Sequence, residues 1–163
     1  MYDDYLPYRF HLEMVASLAD RFMHLIPNTE GPGNKYAVYV AAYAHDTIED
    51  CRVTYNDVKE ALGYEVAEIV YALSNEKGKN RKERANAKYY QGILDTPGAV
   101  FVKMCDRMAN AAYSKMTGSR MLEMYRKENP AFTEALGFRK DGVEYPGHPL
   151  YPMFKELRNI LEE

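Results

Sequence analysis

Tyr36-Ala-Val-Tyr-Val-Ala-Ala-Tyr-Ala-His-Asp-Thr-Ile-Glu-Asp50 is the stretch on which the reading of this chain turns. Its first nine residues, Tyr36 to Ala44, carry no charge and no strong polar group apart from tyrosine hydroxyls. Apolar on all sides at helical length, they predict a buried helix that stops near Cys51. Four ionisable side chains follow within six positions: His45, Asp46, Glu49 and Asp50. On a helix, steps of three and four put the acids and the histidine on neighbouring faces. Three carboxylates at a helix C-terminus oppose the helix dipole, which favours cations there. A metal ion is the simplest compensation.

The flanking segments read as helices too. Before the quoted stretch, Leu12, Val15, Ala16, Ala19, Phe22, Met23 and Ile26 recur at three- and four-residue steps, predicting a helix over about 4–26. Pro27 to Gly33 is a loop bounded by Pro and Gly. After it, Thr54 and Asp57 have capping-box spacing and Gly63 is a stop signal. A helix over about 64–74 follows, then the basic stretch from Asn75 to Arg84. Asp95-Thr-Pro-Gly98 punctuates the chain, with Pro97 suited to a helix first turn. The largely apolar run from Ala99 to Ala111 encloses Asp106. A helix over about 119–137 contains Pro130, which predicts a kink or a division there. A loop over 141–149 and a helix over about 150–161 complete the chain, with no alternating strand pattern and no internal repeat. The expectation is an all-α helical bundle forming one domain over residues 1–163.

Composition narrows the function classes. The chain has 163 residues, 47% hydrophobic and 28% charged, with 10 Gly and 8 Pro, which is ordinary globular usage. A formal net charge of -3 provides no basic field for nucleic acid or anionic lipid. No apolar run reaches the roughly 20 residues of a membrane span. The acidic N-terminus lacks a signal-peptide pattern, and Cys51 and Cys105 do not make a disulfide framework. These features predict a soluble cytoplasmic protein with no nucleic-acid or membrane partner; they leave the oligomeric state open. His24 and His148 read as surface residues without a role, and the cysteines as buried small hydrophobes.

His11, the adjacent His45 and Asp46, and Asp106 come from three predicted helices. Two imidazoles and two carboxylates suit a divalent Mn²⁺, Fe²⁺ or Zn²⁺, and bundle cores commonly house such sites. Asp106 also has Lys103 and Arg107 as possible ion-pair partners on its own helix.

Four segments carry a resemblance: Phe10-His-Leu-Glu-Met-Val15, Ala44-His-Asp-Thr-Ile-Glu-Asp-Cys51, Leu62-Gly-Tyr-Glu-Val-Ala-Glu-Ile-Val70 and Val102-Lys-Met-Cys-Asp-Arg-Met-Ala-Asn110. In order and spacing, over about residues 10 to 115, they resemble the HD phosphohydrolase superfamily, with its ligand pattern H…HD…D. More narrowly, the chain is similar to the RelA/SpoT-type hydrolases, including small single-domain forms. HDxxED followed by VKxxDRxxN is the specific part of the match. The resemblance implies that His11, His45, Asp46 and Asp106 hold one Mn²⁺. It implies that Glu49 and Asp50 position or deprotonate the attacking water. Asn110 would contact the ribose or phosphate, with Tyr113 a further substrate contact. The implied reaction removes the 3′-pyrophosphate of a guanosine polyphosphate, so the implied partner is a small-molecule nucleotide. Larger members carry a basic pair before the first histidine; here those positions are Tyr2 and Asp3. Arg9, Lys79, Lys82 and Arg84 are the candidates to replace it. Hydrolysis of another nucleotide, or nucleotide binding without turnover, are the rival readings.

Overall fold

The computed structural model describes residues 5–28, 30–45, 53–74, 80, 83 and 86–162, with side chains from Arg9 onward. The fold is all-α. Among the described residues there are eight α-helices, one 3₁₀ turn and one two-stranded hairpin. The chain divides into two compact units, residues 26–103 and residues 1–25 with 104–163.

In the unit of residues 26–103, α2 (Lys35–Ala44) starts at Asn34, whose side chain accepts the Ala37 N–H at 2.9 Å. It buries Ala37, Val38, Ala41, Ala42 and Ala44, but Tyr36 and Tyr43 are 63% and 48% exposed. The helix is therefore buried on one face, not all round. Tyrosine carries an apolar ring and a hydroxyl that stays hydrated, so it tolerates the solvent side. His45 is its C-cap, and the predicted continuation to Cys51 lies outside the described residues.

α3 (Tyr55–Leu62) begins with the predicted capping box between Thr54 and Asp57. The hydrogen bond from the Thr54 backbone holds the Asp57 carboxyl below its ordinary value. Gly63, at φ 99°, ends the helix and leads straight into α4 (Tyr64–Ser74). The apolar positions of α4, from Val66 to Leu73, pack this helix against α2, α3 and α5 (Ala87–Asp95). The Tyr89 hydroxyl of α5 donates to the Leu73 carbonyl at 3.0 Å. Pro97 differs from expectation. It lies in the turn before α6 (Ala99–Thr117), not inside the helix, because Gly98 at φ 89° makes the entry.

The other unit contains α1 (Tyr5–Phe22), the 3₁₀ turn Met23–Leu25, α6 from Met104 onward, α7 (Met121–Ala135) and α8 (Tyr151–Glu162). Val15, Ala16, Ala19 and Phe22 of α1 are buried along the predicted stripe. α7 runs unbroken through Pro130, contrary to the expected division. The lost N–H costs on the order of 3 kcal/mol, and burial of Tyr125 and Phe132 on either side outweighs it.

The segment after α7 also departs from a simple loop. Strands Arg139–Lys140 and Val143–Glu144 pair antiparallel across Asp141-Gly142, at φ 52° and 80°. Asp-Gly favours this tight turn, but two-residue strands are too short to show alternation in sequence. Glu144 latches the hairpin to α8, accepting from Tyr151 at 2.9 Å and Arg158 at 2.8 Å. The Tyr151 bond is the largest influence holding the Glu144 carboxyl below its ordinary value.

His148 has a structural role that its sequence position did not reveal. It stacks on Phe138 at 4.0 Å, its Nδ1 accepts the Leu150 N–H at 3.0 Å, and its Nε2 lies 3.3 Å from the Leu136 carbonyl. That arrangement requires the neutral ring. Burial lowers its pKa, against a smaller opposing effect of the Leu136 carbonyl. The folded state thus binds this proton less readily than the unfolded chain. Its contribution is complete above the ordinary histidine value of about 6.5 and is lost as pH falls through the lowered folded value. Thermal midpoints measured from pH 7.5 to 5 are expected to fall more steeply for the native protein than for His148→Gln. Parallel curves would contradict that role.

Candidate functional site

In the unit that contains α1 and most of α6, one polar cluster combines ligand-type atoms. Nε2 of His11 lies 3.0 Å from Oδ1 of Asp106. His11 is 3% exposed and Asp106 21%, on side-chain area. Asn110, one turn further along α6, directs Nδ2 toward the other Asp106 oxygen at 3.5 Å. Asp106, Asn110 and Tyr113 follow at steps of four and three, so they form one stripe on α6. Phe10, next to His11, faces Tyr113 with ring centroids 5.9 Å apart.

The cations beside Asp106 in sequence are used elsewhere. Arg107 is 8% exposed, with its guanidinium 3.9 Å from the Phe132 ring centroid and 5.0 Å from that of Tyr125. Its Nη1 meets Glu128 at 3.2 Å. The Lys103 ammonium stands over the Tyr89 ring at 5.3 Å. Successive helix residues point about 100° apart, which turns Arg107 into the core and Asp106 toward His11. Burial pushes the Cys105 thiol far above its ordinary value, in keeping with a small core residue.

The spacing of His11 and Asp106 fits a shared cation. Nitrogen and oxygen ligands bind first-row divalent ions at about 2.1 Å, so adjacent ligands lie about 3.0 Å apart. In the other unit, His45 is 6% exposed and its Nδ1 sits 2.9 Å from the Ala42 carbonyl. An Nδ1–H donated to that oxygen puts the lone pair on Nε2, the form in which histidine binds metal. The Ser74 hydroxyl donates to the His45 carbonyl at 3.4 Å. The Ala42 carbonyl lies only three residues back along α2, but Ser74 comes from 29 positions away and was not recognisable from sequence.

Arg9 stands apart from this cluster. It pairs with Glu13 at 3.1 Å, with 64% of its side chain exposed, and two residues along a helix is about 200° from His11. Asp46, Glu49, Asp50, Lys79, Lys82 and Arg84 lie outside the described residues. Phe10 was missed as a site neighbour; its signal was a ring next to the first histidine.

Comparison with known proteins gives relatives of one kind. A guanosine-3′,5′-bis(diphosphate) 3′-pyrophosphohydrolase of Aquifex aeolicus is 30% identical over 143 residues, covering 80% of this chain and 20% of the relative. The human guanosine-3′,5′-bis(diphosphate) 3′-pyrophosphohydrolase MESH1 is 33% identical over 73 residues, 45% of this chain and 41% of the relative. Its Drosophila melanogaster counterpart is 26% identical over the same length. The chain thus spans between a fifth and two fifths of these relatives. No family model and no solved structure matches it. Among the described residues, no helix is long and apolar enough to cross a membrane.

Proposed function

We propose that this chain is a metal-dependent phosphohydrolase of the HD type, acting on a guanosine 3′,5′-bis(diphosphate). The observation that carries the reading is the His11–Asp106 pair at 3.0 Å, joined to the HDxxED and DRxxN motifs in a chain whose relatives bear that name. His11, His45, Asp46 and Asp106 would hold the ion, with Mn²⁺ the first choice and Fe²⁺ or Zn²⁺ as substitutes. Such an ion supplies a water of lowered pKa and neutralises phosphate charge.

The chain's own residues do the rest. Glu49 and Asp50 position the attacking water or take its proton, since a carboxylate beside a nucleophile is a competent base. Asn110 holds a carboxylate oxygen of Asp106 and contacts the nucleotide's ribose or phosphate. Water attacks the phosphorus bonded to the ribose 3′ oxygen. That oxygen leaves with a proton, and guanosine 5′-diphosphate and pyrophosphate are released. Lys82 and Arg84 stand in for the basic pair, as counter-charges to the phosphates.

Tyr2 and Asp3, in place of that pair, favour a second reading: the same chemistry on another phosphorylated nucleotide, such as a deoxynucleotide. One experiment separates the readings. Mn²⁺-dependent turnover of guanosine tetraphosphate, with chromatography of the products, is expected to yield guanosine diphosphate and pyrophosphate. Turnover confined to other nucleotides selects the second reading, and binding without turnover of any nucleotide overturns both.

A further inference from the structure

We propose that Phe10 and Tyr113 form the platform on which the nucleotide's base stacks, so that this chain grips its substrate by ring faces and discriminates weakly between purines. The inference rests on the reading above that the site takes a nucleotide.

Its basis is the order of groups along α6. Asp106, Asn110 and Tyr113 share one stripe, so a ligand whose phosphate lies at Asp106 extends over Asn110 toward Tyr113. Seven residues of helix span about 10 Å, the scale of a ribose phosphate with its base attached. At that end α1 supplies Phe10, whose ring lies 5.9 Å from that of Tyr113 with the planes tilted by 52°. The same two helices that join His11 to Asp106 therefore join these rings.

Exposure separates this pair from core packing. Phe138 and Phe154, stacked at 5.6 Å in the same unit, are both 0% exposed. Phe10 and Tyr113 are only half-buried, which leaves ring surface accessible beside the polar cluster. A half-buried aromatic pair two turns from a phosphate-type site is the arrangement by which proteins stack bases. Stacking is tolerant of base identity because every base offers a π-face. The nearest α1 cation, Arg9, points about 200° away from His11 and pairs with Glu13, so the group flanking the cluster here is a ring.

The test uses the whole chain with Mn²⁺ and two probes, guanosine 5′-diphosphate and adenosine 5′-diphosphate. Calorimetry gives nucleotide and Mn²⁺ affinities for the native protein, Phe10→Leu and Tyr113→Leu. Leucine keeps apolar bulk where alanine would leave a hole, and thermal midpoints check the fold. Each leucine variant is expected to bind both diphosphates about 5- to 100-fold more weakly, the range of one lost stack, with Mn²⁺ affinity unchanged. The native protein is expected to prefer guanosine by less than about tenfold. Unchanged nucleotide affinity in both variants overturns the platform. So does an equal loss of Mn²⁺ affinity, a collapsed thermal midpoint in both, or a native protein that binds neither diphosphate. A guanosine preference above tenfold overturns the weak discrimination. A native protein that hydrolyses guanosine tetraphosphate while the variants keep their KM sinks the platform and leaves the proposed function standing. Native binding that the leucines weaken, without any hydrolysis, does the reverse.

Discussion

Asp106→Ala, and separately the double replacement of His45 and Asp46 by alanine, is expected to abolish Mn²⁺ binding and to lower hydrolysis at least about 10³-fold. Asp106 is met by a buried imidazole at 3.0 Å, so under the proposed function its removal would take away one ligand and the partner that orients another. The Ala42 carbonyl faces Nδ1 of His45, an arrangement that would leave Nε2 for the proposed ion, and alanine removes that imidazole outright. Asp106→Asn is the control, because it keeps the size of the side chain while removing its charge. It should weaken Mn²⁺ binding without unfolding the chain. Calorimetric Mn²⁺ titration, circular dichroism and product chromatography on the same preparations decide the matter. Full activity in the His45/Asp46 double variant would sink the proposed function, whatever the nucleotide.

Gly98→Ala is expected to destabilise the protein by about 2–4 kcal/mol. For a chain of this length that corresponds to a thermal midpoint lowered by roughly 5–15 °C. Two effects add. The backbone of Gly98 is at φ 89°, a conformation an L side chain rarely adopts. A Cβ there would also meet the Val38 side chain at 2.7 Å and that of Ile69 at 3.1 Å. Both neighbours are 0–1% exposed and belong to helices fixed on their other sides, so neither yields easily. Gly31→Ala is the comparison: its φ is 93°, but a Cβ meets nothing within 4 Å. It carries the conformational cost alone, and the difference between the two midpoints measures the clash. Equal midpoints would show that the close approach is dispensable.

Local signals were the legible part of this fold. The Thr54–Asp57 capping box, the Gly63 stop and the helix over 64–74 follow from side chains bonding to backbone within four residues. Such interactions need no knowledge of distant chain. The inner stripe of α1 was legible for a related reason: hydrophobic period reports which face is buried. The misreadings share the opposite property. Pro130 was expected to kink or divide α7, and the division did not follow, because packing of Tyr125 and Phe132 carries the helix across it. Tyr36 and Tyr43 counted as apolar, and the structure spends their hydroxyls on solvent. His148 looked idle because its partners, Phe138 and the Leu136 carbonyl, reach it only through the hairpin.

For the candidate site the same division holds. Residue types and order by themselves carry the chemical expectation: histidines and carboxylates at helical spacing, HDxxED, and DRxxN point to metal ligands and water activation. Tertiary structure decided which neighbours those residues use. Asp106 had two adjacent cations in sequence, but helical rotation sends Arg107 between Phe132 and Tyr125, and Asp106 meets His11 from 95 positions away. It also decided that Phe10 and Tyr113 stand together beside that pair. Sequence specifies which groups a chain owns and how they repeat locally. Contacts between distant helices depend on how many faces pack at once, and that is settled only when the side chains share space.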